Sequence, residues 1–236
     1  MRAFLIGGGR DPEEVQAAFA PFVAATAGGP IVALVLDEGE DTDVPRWEAA
    51  LRSAGATDIR TVVVSRERPP TRDDVLGATG IFVAGGWTPE YEHALVTAAG
   101  DAWLEAAREA GAVYGGFSAG AAIAAHEALV GGWKDVIDGR DYPVCSEEAG
   151  EDLQTIEVRR GLGVVEAVID VHAAQWGTLG RLVHAVRLAD GDVGYAIDEN
   201  TTLELEDGAV TVHGAGLVHR VTAQDDGSVR VEVLAP

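Results

Sequence analysis

An apolar run at 113–117 leads into Gly116-Phe117-Ser118-Ala119-Gly120 and then directly into an alanine-rich stretch at 119–125. A serine at such a strand-to-helix turn is a nucleophile elbow. The bent backbone admits only small residues on either side, and the hydroxyl stands exposed at the start of the helix. There the free N–H groups and the positive end of the helix dipole favour a developing oxyanion. The bare pattern has limited weight. With 30 glycines and five serines in the chain, chance supplies roughly 0.08 matches to G-x-S-x-G, so other residues must complete the chemistry.

A serine hydroxyl needs a base to take its proton, and six histidines are available. His126 lies eight residues along the expected elbow helix, about 12 Å away at the α-helical rise and out of reach. His93 and His184 fall in expected helices, His213 and His219 in expected C-terminal strands, and packing or surface roles are the ordinary ones there. His172 closes the apolar run 164–171. That puts it at the carboxyl end of a parallel strand, on the same sheet edge as Ser118. The acid that holds the base in its tautomer has two candidates. Glu199 follows the strand 193–197 within Asp198-Glu199-Asn200, one crossover after His172 and at the same edge. Asp135, in the stretch after the elbow helix, competes with it. Asp170 points to the same face as His172 by strand periodicity, and local hydrogen bonding is its ordinary role.

A tetrahedral intermediate requires two donors. Ala119 supplies one backbone N–H just after the serine. The second is expected from Gly85-Gly86-Trp87, where paired glycines after a strand let the backbone approach closely. A tight turn is the ordinary alternative for that pair.

These residues must be positioned by the alternation of short apolar runs and helical patterns that continues to about residue 200, the signature of a mostly parallel sheet flanked by helices. Strands are expected at 3–6, 31–36, 59–64, 81–84, 113–117, 165–171 and 193–197, with helices between them. Asp11-Pro12 and Thr88-Pro89-Glu90 each read as a capping side chain followed by an early helical proline. Both helices then start just past strand ends, where open α/β sheets bind ligands. After Asn200 alternating strands take over at 201–205, 210–213 and 229–233, with Asp207-Gly208 as a hairpin turn. The expectation is a single α/β domain over 1–236, with a parallel core over 1–200 and an antiparallel β extension over 201–236. The stretch 131–160 has no clean period and reads as a long loop beside the site.

A formal charge of −22 with Lys134 as the one lysine argues against nucleic acid or an anionic membrane surface as partner, since both need clustered basic groups. The same acidic field repels anionic substrates unless specific arginines compensate. No run approaches the roughly eighteen apolar residues of a membrane span, and the lone Cys145 excludes an internal disulfide or a cysteine-based zinc cage. A cytoplasmic protein is expected. Gly7-Gly8-Gly9 follows a strand but lacks the spacing and lysine of a nucleotide-binding loop, and His126-Glu127 lacks a second histidine at metalloprotease spacing. No cofactor or metal is implied. The acidic run 37–41 reads as a solvated loop.

Four segments, in order, resemble the serine peptidase family of cyanophycinase and aspartyl dipeptidase (peptidase E), built on a class I glutamine amidotransferase-like, flavodoxin-like fold. They are LIGGG (5–9), IFVAGGWTPEY (81–91), GGFSAGAAIAA (115–125), and VIDVHAAQWGTLGRLVHAV (168–186) with GYAIDENTTLEL (194–205). The resemblance implies Ser118 as nucleophile, His172 as base, and Ala119 with the Gly86 region, including Trp87, as oxyanion donors. For the acid it offers both a carboxylate after the elbow helix and the Glu of the Asp-Glu pair, matching Asp135 or Glu199. A short peptide substrate and a homodimeric assembly are further implications.

The departures bear on substrate. Cyanophycinase-like sequences carry a Gln before the catalytic His and several arginines after it, whereas this chain has Val171, Trp176 and Thr178 and keeps only Arg181. They also carry a Gln where Thr88 stands. The resemblance assigns substrate-aspartate binding in aspartyl dipeptidases to an arginine one helical turn before the Arg181 position, which is Thr178 here. With Trp87, Thr88, Trp176, Thr178 and Arg181 around the expected pocket, specificity broader or more apolar than N-terminal Asp is expected. A serine in the elbow argues against a glutamine amidotransferase, which uses a thiolate. The leading reading is a serine exopeptidase or dipeptidase. A cyanophycinase-like hydrolase of aspartyl-arginine polymer and a non-catalytic peptide or small-ligand binder on the same fold are the alternatives.

Overall fold

The structure is a computed structural model that describes residues 1–10, 12–96, 102–189 and 191–236, and of 12–14 the backbone. The expected cap Asp11 lies outside the described residues. Strands β1 (Ala3–Ile6), β2 (Ile31–Leu36), β3 (Ile59–Val64), β4 (Gly80–Val83) and β5 (Val113–Phe117) pair in parallel in the spatial order β1-β5-β4-β2-β3. Every residue of β1, β2 and β4 is buried. A parallel strand covered on both faces has no polar side to display, hence the unbroken apolar runs. β3 lies at the sheet edge and its burial alternates instead.

Helices α1 (Pro12–Ala25), α2 (Val44–Ser53), α3 (Thr88–Leu95) and α4 (Ala102–Glu109) fall between these strands. Phe19 of α1 packs 5.2 Å from Phe82 and 5.7 Å from Phe117 between ring centroids, and Trp47 of α2 lies 5.1 Å from Phe117. This aromatic cluster sits beneath the carboxyl end of β5 and fixes where the chain emerges as Ser118. None of the described helices is long and apolar enough to cross a membrane.

Beyond β5 the chain forms the one-turn helix α5 (Ala119–Ala122), then β6 (Glu127–Gly131), β7 (Lys134–Ile137), β8 (Arg140–Pro143) and β9 (Glu157–Arg160). The elbow helix expected to reach His126 ends at Ala122, and the His126 N–H donates to Val165 O at 2.8 Å. The stretch 131–160 is not a plain loop. β7 pairs with β8, β9 returns to pair with β6, and a 3₁₀ turn occupies Glu147–Gly150. The signal was Asp138-Gly139, whose φ angles of +52° and +74° mirror those of Asp207-Gly208, +47° and +84°. Both pairs suit a two-residue hairpin turn with positive φ at each centre.

The chain continues through β10 (Val168–Val171), α6 (Ala173–Trp176), α7 (Leu179–Ala185), β11 (Val193–Ile197), β12 (Thr201–Glu206), β13 (Ala209–Gly214), β14 (Val218–Ala223) and β15 (Val229–Leu234). β10 and β11 pair in parallel, yet outside the main sheet, in a four-stranded sheet of order β10-β11-β14-β15. β12 and β13 return to the main sheet, making it seven-stranded, with β12 antiparallel to β1. The expected single sheet is therefore two, and the residues after Asn200 divide between them. A backbone seam just past β1 joins the two. Gly7 N–H donates to Thr201 O (3.0 Å), while Gly7 O accepts from His172 N–H (3.0 Å) and Gly8 O from Asn200 N–H (2.8 Å).

Candidate active site

Ser118 has φ +50° and ψ −110°, a conformation a non-glycine residue holds only when its surroundings over-determine it. A Cβ on Gly116 would run into the Gly120 carbonyl, and one on Gly120 into the Val83 carbonyl. The turn therefore requires the small neighbours the sequence supplies. Ser118 N–H donates to Ile6 O at 2.9 Å, and the buried Tyr114 hydroxyl donates to Gly120 O at 2.7 Å. Ala119 is the first residue of α5, so its N–H has no partner within the helix.

His172 follows β10 with φ +56°. Its Nε2 lies 2.8 Å from Ser118 Oγ, and its Nδ1 lies 2.7 Å from Glu199 Oε1. With the carboxylate facing Nδ1, the neutral tautomer that satisfies both contacts carries its proton on Nδ1 and leaves Nε2 to accept from the serine. The ring is held from both faces. Trp176 stacks on it with centroids 4.1 Å apart and planes 12° apart. Across from the ring, Gly8 has φ +112° and a Cβ there would fall on the imidazole. His172 is 8% exposed. Burial pulls its pKa below the ordinary histidine value, outweighing the hydrogen bond and charge of Glu199 that pull it up. The neutral, proton-accepting form is thus favoured at pH 7.

Glu199 is placed by its own backbone and its neighbour. Its N–H donates to Gln175 Oε1 at 3.0 Å. Buried Asp198 accepts from Ala174 N–H (3.0 Å) and Leu217 N–H (2.9 Å), tying α6 to the start of β14. Asp135, the competing acid, is engaged elsewhere: its Oδ2 lies 2.7 Å from His184 Nδ1. The hairpin that carries it turns it toward α7 rather than toward His172.

Several expected pocket residues face inward instead. Thr178 is completely buried and its hydroxyl donates to Val171 O at 2.7 Å. Arg181, also buried, forks onto Asp170 (Nε–Oδ2 2.9 Å, Nη2–Oδ1 2.6 Å) and donates from Nη1 to the carbonyls of Gly132 and Ala149. It pins the 131–150 segment from below. Thr88 is the first residue of α3 rather than its cap. Its hydroxyl donates to Glu151 Oε1 at 3.0 Å, and the Trp87 indole donates to Glu151 O at 3.2 Å. The backbone N–H of Trp87 donates to Glu38 Oε1 at 3.3 Å. Of the two expected donors in that turn, this one is directed at a carboxylate.

A cavity of about 500 Å³ opens in front of Ser118. Gly86, Trp176 and Glu199 line it, together with Arg10, Glu38 and Arg46, which the sequence reading missed. Glu38 sat in an acidic run that reads as solvated, and Arg46 in a helix that reads as flanking. Neither carries a motif.

A model of peptidase family S51 matches residues 4–213. Solved structures with the same fold include a peptidase from an acI-B1 Actinobacterium, at 16% identity over 99% of this chain and 96% of that one, with a TM-score of 0.59. A Listeria monocytogenes EGD-e protein assigned to peptidase E is similar at 18% identity over 91% of this chain and 98% of that one, again with a TM-score of 0.59. At these identities the likeness to the solved structures concerns the fold.

Proposed function

The chain belongs to peptidase family S51 and is a serine-type peptidase; on that premise we propose that it is an exopeptidase or dipeptidase that hydrolyses short peptides through Ser118, His172 and Glu199. The observation that carries this reading is the unbroken hydrogen-bonded path from Ser118 Oγ through the imidazole to the Glu199 carboxylate, 2.8 Å and 2.7 Å. As Oγ attacks the scissile carbonyl, His172 Nε2 takes its proton, and Glu199 stabilises the imidazolium through Nδ1–H. The carbonyl π electrons move onto oxygen, where the Ala119 and Gly86 N–H groups are the donors. Collapse breaks the C–N bond, and His172 returns the proton to the leaving amine. Water then attacks the acyl-enzyme by the same route and releases the acid and free Ser118.

The proposal includes freedom from restriction to N-terminal aspartate. The positions that the resemblance assigns to an aspartate side chain offer it no free cation, since Arg181 is committed to Asp170 and backbone carbonyls and Thr178 is buried. Trp176, 37% exposed, offers the pocket an apolar surface in their place. A fluorophosphonate, which phosphonylates an activated serine, tests the nucleophile. The wild type gains one adduct, mapped to Ser118, while Ser118→Ala gains none and His172→Ala reacts at least about 100-fold more slowly. A folded wild type that stays unlabelled contradicts the proposal.

A further inference from the structure

Resting on the peptidase reading, we infer that the cleft extends past Ser118 into a subsite for an apolar C-terminal residue, whose free carboxylate is received by Arg46 and Arg10. The cavity in front of Ser118 runs into a second one of about 450 Å³ between α1 and α2, and Gly9, Arg10, Arg46, Trp47 and Phe117 line both. The second chamber is walled by Val15, Ala49, Ala50 and the rings of Trp47 and Phe117. Gln16 and Ser53 also line it, and Gln16 Nε2 donates to Ser53 O at 2.7 Å, bridging the two helices at the surface. Among the described residues that line this chamber, the charged ones are Arg10 and Arg46.

That composition stands out in a chain with 39 acidic and 17 basic residues. The Arg46 guanidinium lies 4.6 Å above the centroid of the Trp47 ring, so it is held at the junction of the two chambers by a buried aromatic side chain. The Arg46 backbone is fixed as well, since its N–H donates to Asp43 Oδ1 at 3.0 Å at the start of α2. The near cavity sets five carboxylates, Glu38, Asp41, Asp43, Glu148 and Glu199, against the same two arginines. A peptide carboxylate entering that field is repelled unless a cation meets it. Because the two arginines line both cavities, a peptide chain that passes from Ser118 into the second one meets them on the way, with an apolar chamber beside them for its side chain. The occupant that satisfies both features is the leaving residue of a dipeptide or tripeptide, apolar and with a free C-terminus.

The test uses dipeptides with C-terminal leucine or glycine and each of the twenty residues at the N-terminus, as free acids and as amides. Fluorophosphonate labelling of Ser118 is measured on the same protein. The expected result is a free-acid preference of about 10- to 100-fold in kcat/KM, the range of one charge-assisted hydrogen bond, that collapses toward one in Arg46→Met. Ala49→Trp, which narrows the chamber from its exposed rim, raises KM for C-terminal leucine more than for C-terminal glycine. Equal rates for acid and amide overturn the subsite, as does a preference that survives Arg10→Met/Arg46→Met. If Ser118 is labelled but no leucine peptide is cleaved, the subsite falls and the nucleophile stands. If neither labelling nor cleavage occurs, the peptidase mechanism itself falls.

Discussion

The backbone at Ser118 takes its shape largely from neighbours in the chain, Tyr114, Gly116 and Gly120. His172 is held by Gly8, Trp176 and Glu199, which come from three separate segments and from both sides of the seam between the sheets. The first region stores its strain locally, in one unusual φ. The second depends on two sheets meeting at the right distance, so a change of a few tenths of an ångström at Gly7-Gly8 moves the base relative to the nucleophile. Activity should therefore be more fragile at the seam than any inventory of catalytic side chains suggests.

Breaking the second region at its acid is expected to have the largest effect. Glu199→Gln keeps the shape of the side chain but removes the charge that stabilises the imidazolium and fixes its tautomer, and kcat should fall on the order of 10⁴-fold. Steady-state kinetics on any cleaved peptide measures it. Gly8→Ala comes next. A methyl group there collides with the His172 ring at a φ of +112° that alanine resists, and a base displaced by about 1 Å costs roughly 100-fold in kcat/KM. Fluorophosphonate labelling should slow in parallel, because the base that activates Ser118 is displaced.

The pH profile sharpens the comparison with a smaller effect. His172 must be neutral to act, and burial lowers its pKa, so kcat/KM should hold down through the ordinary histidine value near 6.5 and fall tenfold per pH unit only below it. Glu199 opposes that shift. The residual activity of Glu199→Gln should accordingly show its acid limb displaced to still lower pH. The smallest effect is expected at Asp135, which faces His184 and not His172. Asp135→Asn should leave kcat/KM within about twofold of wild type, and a loss comparable to that of Glu199→Gln would reassign the acid.

Much of the frame was legible because it is written in local patterns. The runs at 3–6, 31–36, 59–64, 113–117 and 193–197 coincide with strands residue for residue; all but 59–64, an edge strand that carries Arg60 and Thr61, lack a charged interruption, as covered parallel strands do. Ser118 and His172 do follow two such runs, but these lie in different sheets, so the two residues meet across the Gly7-Gly8 seam and not on the shared sheet edge that the sequence implies. The division into two sheets could not be read. β10 beside β11 has the same sequence signature in either sheet, and what separates them is a contact between Gly7 and residues nearly 170 to 200 positions away. Thr178 and Arg181 were misjudged for a related reason. Helical periodicity tells which face they share, whereas Arg181 is held under the 132–149 segment by its carbonyls and Thr178 turns its hydroxyl back onto Val171 O. Arg46 gave no signal, because a cleft wall made by one exposed helical residue has no motif.

The most direct test of the account is hydrolysis of a dipeptide and tripeptide library followed by mass spectrometry, with wild type and Ser118→Ala side by side. The account predicts cleavage of short peptides by the wild type, not confined to those with N-terminal Asp, and a loss on the order of 10⁵- to 10⁶-fold in the variant. Cleavage that persists in folded Ser118→Ala, or its absence in folded wild type across the whole library, would contradict it.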